Sequence, residues 1–214
     1  MKSLLALAIA IGFLAARAEA GDACPNCAAR SGGIAGEAGH GAISDKSVYQ
    51  LSNQWTNDYG QMTTLGSAKG RIQVVTMFFS HCSYACPLLV YKMQQLEAAL
   101  PAANRSQVAF TLVSFDTERD TPAVLHDYRQ SHQLGTNWTL LHGSASDVLD
   151  LAAALDVKFK QNSSGQFLHS NLITILNQDG EIAIQETGLN LDTGALPLEI
   201  QRLAKKEGME HAGN

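Results

Sequence analysis

The sequence predicts an α/β fold: a central sheet with flanking helices, extended at its N-terminal side by a β-hairpin. Three observations predict it. Two continuous apolar runs, Ile72–Phe79 and Gln107–Phe115, have the character of strands covered on both faces. Each is followed by a stretch whose apolar residues or cap signals are those of a helix. The chain then closes with a hairpin signal and a last helical segment, which completes a sheet sandwiched by helices.

In chain order, residues 1–20 read as an export signal. Lys2 supplies the basic start, Leu4 to Ala16 the apolar core, and Ala18-Glu19-Ala20 a small-residue cleavage site. The apolar run is shorter than the roughly 20 residues that a spanning helix needs. That length favours cleavage over a retained anchor. Cys24 follows Gly21-Asp22-Ala23 with no leucine in lipobox register, which argues against a lipoprotein. The expected location of the mature chain is the periplasm, where disulfides persist. Residues 21–47 read as a Gly-rich linker carrying Cys24-Pro25-Asn26-Cys27, since Ala28–Ser44 has no apolar periodicity to bury. The folded domain is expected over residues 48–205, with a tail at 206–214.

Within that domain, residues 48–56 alternate roughly and contain aromatic and β-branched residues, Asp58-Tyr59-Gly60 marks a turn, and Gln61–Leu65 pairs back. After the Ile72–Phe79 strand, Leu88, Leu89, Met93, Leu96 and Leu100 recur at helical spacing until Pro101. Thr121-Pro122 is an N-cap followed by proline at the first helical position, so a helix is expected to about Ser131. Trp138–Leu141 reads as a short strand, and Ser146–Leu155 as a helix with Val148, Leu149, Ala152 and Leu155 on its apolar face. Leu172–Leu176 and Glu181–Gln185 flank the hairpin signal Asn177-Gln178-Asp179-Gly180. Leu196–Lys205 closes the domain, with Lys205-Lys206 suiting the negative end of its dipole.

The chain has 214 residues, 45% hydrophobic and 16% charged, with a formal net charge of −5. This composition belongs to an ordinary globular protein. It offers neither a basic footprint for nucleic acid nor a polybasic block for anionic lipid.

The chemistry is expected where the first apolar strand ends, at Phe78-Phe79-Ser80-His81-Cys82-Ser83-Tyr84-Ala85-Cys86-Pro87. Placed at i and i+4 on the first turn of a helix, the two sulfurs share a face. They can close a disulfide, or as thiolates chelate a soft metal, and the helix N-terminus favours the thiolate in either role. A structural disulfide is the bland alternative. His169, in Gln166–Ser170 just before the Leu172–Leu176 strand, is the candidate third ligand; two thiolates and one imidazole suit copper and also zinc. His81 reads as packing or support beside the site. His126, His132 and His142 read as solvated, and His211 lies in the tail.

The stretch Phe79–Pro87 resembles the signature of the Sco/SenC family of copper-binding, thioredoxin-like proteins. Ser114-Phe115-Asp116-Thr117-Glu118-Arg119-Asp120-Thr121-Pro122 is similar to that family's S-x-D-P-x-R-D-T-P run, and His169-Ser170 corresponds to its copper-binding histidine. The resemblance spans about residues 48–205. It implies a thioredoxin-like fold and copper held by Cys82, Cys86 and His169, the cysteines also forming a redox disulfide. It implies delivery of copper to, or reduction of, the thiols of the dinuclear copper site of cytochrome c oxidase, with that oxidase subunit or another copper-accepting exported protein as partner, together with a thiol reductant. Asp116 and Asp120 match the family's acidic pair. Helix capping is the simpler expectation for Asp120, and tuning of the site or a partner contact for Asp116. Between the cysteines this chain has Ser83-Tyr84-Ala85 where the family's usual pattern is Pro-Asp-Val, so an acidic residue is replaced by a large neutral one.

Cys24 and Cys27 form a second pair that can bind a soft metal, form a disulfide, or exchange copper or electrons with the main site; His40 is a possible added ligand. Two functions compete. One is a metallochaperone without turnover; the other is a thiol–disulfide oxidoreductase acting on exported cysteine proteins. His169 discriminates, because a dithiol reductant does not need it. The Pro-x-x-x-Thr-x-x-Cys pattern of a peroxiredoxin is absent before Cys82.

Overall fold

The computed structural model describes residues 44–163, 165–187 and 194–210. By internal contacts the chain divides into units 1–40 and 41–214, and every described residue belongs to the second. The export segment and the Cys24–Cys27 pair lie outside the described residues. Among these residues no helix is long and apolar enough to cross a membrane.

A seven-stranded mixed sheet forms the centre. Its strands are β1 (Trp55–Asn57), β2 (Met62–Thr63), β3 (Ile72–Phe78), β4 (Val108–Ser114), β5 (Trp138–Gly143), β8 (Leu172–Leu176) and β9 (Ile182–Thr187). They lie in the order β2-β1-β5-β4-β3-β8-β9. Pairing is parallel for β3–β4 and β4–β5, and antiparallel elsewhere. Every residue of β3, β4 and β8 is buried, the property read from their continuous apolar runs. The N-terminal hairpin is β1–β2, turning at Gly60 in the left-handed region.

Several polar groups inside the sheet are paired. Gln73 Nε2 donates to Thr111 Oγ1 at 2.9 Å, and Thr76 Oγ1 to the Leu172 carbonyl at 2.6 Å. The hairpin is locked to the sheet by an ion pair. Arg129, 6% exposed, forks onto both oxygens of Asp58 and also donates to the Trp138 carbonyl.

Helix α1 (Ala85–Ala99) buries Cys86, Leu89, Val90, Met93 and Leu96, and lies against α5 (Leu196–Glu210). Proline at position 87 falls in its first turn, where a missing N–H costs little. A short helix α2 (Ala102–Arg105) follows. Helix α3 (Pro122–Ser131) starts at Thr121, whose hydroxyl accepts from Val124 N. Helix α4 (Ala145–Ala154) starts with a reciprocal capping box between Ser144 and Asp147. Leu149 is 59% exposed, contrary to the expected apolar face, and Leu151 is buried in its place. The closing helix continues to Glu210, so Lys205-Lys206 fall short of its last turn.

A second hairpin, like the short α2, has no counterpart in the sequence reading. β6 (Phe159–Gln161) and β7 (Phe167–His169) form a separate antiparallel hairpin, pairing Phe159 with His169. Its turn is closed by Gly165 N to the Asn162 carbonyl at 3.0 Å, with Gly165 in the left-handed region.

Candidate metal centre

Three chain segments reach one edge of the sheet, and this follows from strand direction alone. β3 and β4 run parallel, so the loops after Phe78 and after Ser114 leave from the same edge. β8 runs antiparallel to β3 with Ile173 opposite Thr76, so the chain entering β8 at Leu172 arrives at that edge too. Cys82 and Cys86, Asp116 and Asp120, and His169 are therefore neighbours in space.

Cys82, Cys86 and His169 each offer a ligand atom, and these atoms all lie within 4.8 Å of one another. Cys86 Sγ stands 3.6 Å from His169 Nε2. Both cysteines are free thiols. Their placement differs from the sequence reading in one respect. Only Cys86 is in the first turn of α1; Cys82 sits in the turn before the helix, its N–H bonded to the Phe79 carbonyl at 3.3 Å. The reason is that α1 begins at Ala85, so the pair straddles the helix start.

That offset separates the two thiols chemically. Partial burial opposes ionisation of Cys82, but hydrogen bonds from the backbone of Cys86, Tyr84 and Ala85 and from the Cys86 thiol outweigh it and hold Cys82 below the usual thiol range. Cys86 N approaches Cys82 Sγ at 3.4 Å. Cys86 goes the other way. Burial drives its thiol far upward, and the charges of Cys82 and Asp120 add to the rise.

His169 is aimed by its far nitrogen. Nδ1 stands 3.0 Å from the Ser170 carbonyl, which can only accept, so Nδ1 carries the proton and Nε2 presents its lone pair toward Cys86. The ring is enclosed by Phe79, at 6.1 Å between centroids, and Phe115, at 5.1 Å. Phe159 stacks on Phe115, and Phe167 touches both Phe115 and Phe79. The β6–β7 hairpin thus carries two walls of the box as well as the imidazole.

The acidic pair supports this arrangement. Asp120 is fully buried and is not the cap of α3, a place that Thr121 takes. Its carboxylate accepts from Ser80 N at 2.8 Å, from the Ser80 hydroxyl, and from Ser114 Oγ at 2.6 Å. It ties the end of β4 to the loop leading into Cys82. Asp116, 2% exposed, pairs with Arg119, which donates onward to the Gly165 carbonyl and lies 6.0 Å from the Phe167 ring centroid. That clamp holds the hairpin that presents His169. His81 is exposed, with Nδ1 at 2.8 Å from Ser80 Oγ. Oxygen and nitrogen atoms of His81, Asp116 and Asp120 also cluster, but these hydrogen bonds account for both carboxylates.

Sequence reasoning missed the anchoring role of Asp120, the Arg119 clamp and the aromatic box. A signal existed for the last: Phe159-Lys160-Gln161 and Phe167-Leu168-His169 flank a turn-forming Asn162–Gly165 stretch.

Comparison with known proteins finds relatives of this chain and of its fold. The SCO1/SenC family model matches residues 42–196. The SCO1 protein homolog of Bacillus subtilis (strain 168) is 26% identical over 152 residues, covering 69% of this chain and 78% of its own. Among solved structures, a SCO1/SenC family lipoprotein from Bacillus anthracis str. Ames superposes with a TM-score of 0.65 at 25% identity, covering 71% of this chain and 92% of its own. The structure of Bradyrhizobium japonicum ScoI with copper bound gives 0.62 at 22% identity, covering 71% and 96%. With the family model matched across most of the domain, from before the first strand to the start of α5, this chain belongs to the SCO1/SenC family.

Proposed function

We propose that this protein is an exported copper chaperone whose cargo is held by the thiolates of Cys82 and Cys86 and the imidazole of His169. The observation that carries the reading is the aim of His169 Nε2 at Cys86 Sγ, 3.6 Å away, with Nδ1 committed to a backbone carbonyl. A dithiol reductant has no use for an oriented imidazole. The donor spread fits a metal. The three donor atoms all lie within 4.8 Å of one another, close enough for small side-chain adjustments to bring them onto one ion. Soft sulfur with imidazole suits copper in either oxidation state. The ScoI relative has been solved with copper bound, which supports the same cargo here.

In this reading the chain supplies three things. Asp120 fixes the Cys82 loop, the Arg119 clamp fixes the histidine hairpin, and the backbone donors around Cys82 keep one thiol ready to ionise. The acceptor is an exported protein with copper-binding thiols, the copper-site subunit of cytochrome c oxidase being the family-based expectation. The export segment at residues 1–20 and a periplasmic site belong to the same proposal, as does a role for Cys24 and Cys27 in exchanging copper with the main site.

Titration of the reduced protein with Cu(II), followed by optical and EPR spectroscopy, tests it. A sulfur-to-copper charge-transfer band is expected, lost in Cys82→Ala and weakened in His169→Ala. Absence of copper binding, with reduction of protein disulfides intact, would favour the second reading, a thiol–disulfide oxidoreductase. That reading draws on the low-pKa Cys82 standing beside a buried partner thiol.

A further inference from the structure

The metal centre opens to solvent through a cleft of about 230 Å³ whose floor includes Cys82 and His169. Its rim carries two exposed apolar side chains, Tyr84 at 73% and Leu168 at 69%. They come from different elements, the turn before α1 and the middle of β7. None of the ten lining residues is Asp, Glu, Lys or Arg, although 16% of the chain is charged. Asp116, Glu118 and Lys160 line a separate hollow that shares Phe167 with the cleft, and the Arg119 guanidinium, 6.0 Å from the Phe167 ring centroid, is held there by Asp116 and the Gly165 carbonyl.

Exposed aromatic and aliphatic side chains at a reactive opening lose energy in water and regain it when covered. The space is smaller than the 300–1,000 Å³ or so of a pocket for a drug-sized molecule, and it is open. It has room for a few residues of extended chain. The floor selects for sulfur, because soft thiolates exchange metal or disulfide with other thiols. The walls select for neutrality, since a charged flank there would be desolvated without a counter-ion.

We propose that Tyr84 and Leu168 are the two lips of a docking cleft for an extended segment of a partner protein, a segment in which cysteine is flanked by uncharged, apolar residues. The proposal rests on the metal-centre reading and names the partner chemistry of that site. Recognition here is by apolar contact rather than by charge steering, so it is nearly independent of ionic strength.

The test uses full-length apo protein carrying Cys24→Ser, Cys27→Ser and Cys86→Ser, which leaves Cys82 as its sole thiol. The probes are short cysteine peptides activated as mixed disulfides with thionitrobenzoate. One has leucine flanks, one glutamate flanks and one lysine flanks. The Cys82 thiolate attacks the peptide sulfur, the peptide–Cys82 disulfide forms, and thionitrobenzoate leaves as a coloured anion that reports the rate. Each rate is divided by that of the same peptide with free mercaptoethanol, which removes intrinsic differences between probes.

The leucine-flanked peptide is expected to react about tenfold faster than either charged one, the effect of burying roughly one apolar side chain. That preference should persist at high salt and vanish in Tyr84→Ser/Leu168→Ser. The rate with the small mixed disulfide of mercaptoethanol and thionitrobenzoate, which lacks any flanking peptide, should stay unchanged, showing that Cys82 itself is intact. Leu168→Glu should turn the preference toward the lysine-flanked peptide. Equal rates for all three peptides, a preference that survives removal of both lips, or lip-dependent self-association of the chain without peptide preference would overturn the proposal. Copper binding of lip variants that retain Cys86 is measured separately, so a failed docking preference with an intact copper band counts against the lips alone.

Discussion

Cys82 and Cys86 carry the same thiol four residues apart, and their surroundings drive them in opposite directions. The difference is one of backbone geometry, since Cys82 receives amide hydrogens at the start of α1 while Cys86 is sealed beneath it. Alkylation by iodoacetamide, mapped by mass spectrometry across pH, should therefore label Cys82 at a pH below that of an ordinary thiol and leave Cys86 unlabelled until well above it. Equal labelling would contradict the assignment. Asp120 is the second residue with a defined part. Asparagine in its place would turn an NH2 toward one of the three donors from Ser80 and Ser114. Asp120→Asn is expected to cost about 1–3 kcal/mol in chemical denaturation. It should also ease ionisation of Cys86, because the Asp120 charge helps hold that thiol protonated.

The elements divide into those that were legible in the sequence and those that were not. β3, β4 and β8 were legible because burial on both faces writes a continuous apolar run. The helix after Thr121-Pro122 was legible because a cap and a proline are local signals. The β6–β7 hairpin was not, since each strand has three residues, half exposed, and no period can be read over so few. His169 could be found as a residue, but the element that aims it could not. Likewise the partners of Asp120 include Ser80, 40 positions away, a separation that no local pattern reveals. The hairpin itself makes a prediction. Arg119 holds its turn through the Gly165 carbonyl, so Arg119→Ala should loosen His169 and weaken copper binding about tenfold in competition titrations, less than His169→Ala does. On β5, two strands across the sheet from β3, a Cβ on Gly143 would stand 2.5 Å from the Trp55 ring, which is fully buried. Gly143→Ala should destabilise the fold by about 1–3 kcal/mol by overpacking, measured by thermal unfolding.

For the whole molecule, buried groups that resist ionisation set the alkaline limit of stability. Tyr49, 8% exposed with an unpartnered hydroxyl, is pushed up to about 12 by burial and then by the charge of Asp179; Cys86 and Tyr128 are also driven upward, chiefly by burial. A raised pKa means that the unfolded chain releases its proton first. The stabilisation is thus fully present below the unfolded pKa, about 9 for the thiol and 10 for the phenols, and is lost as pH rises toward the folded values. That rise at Tyr49 corresponds to about 2–3 kcal/mol, so unfolding free energy should fall between about pH 9 and 12, and Tyr49→Phe should flatten that fall. The fold that these groups stabilise has one functional consequence above the rest: three distant segments converge at one sheet edge to present two sulfurs and one imidazole nitrogen. X-ray absorption at the copper edge of the copper-loaded protein tests that claim most directly. Scattering from two sulfur ligands and one imidazole is expected, with the imidazole contribution absent in His169→Ala. A copper shell of sulfur alone, or imidazole scattering that persists in His169→Ala, would contradict it.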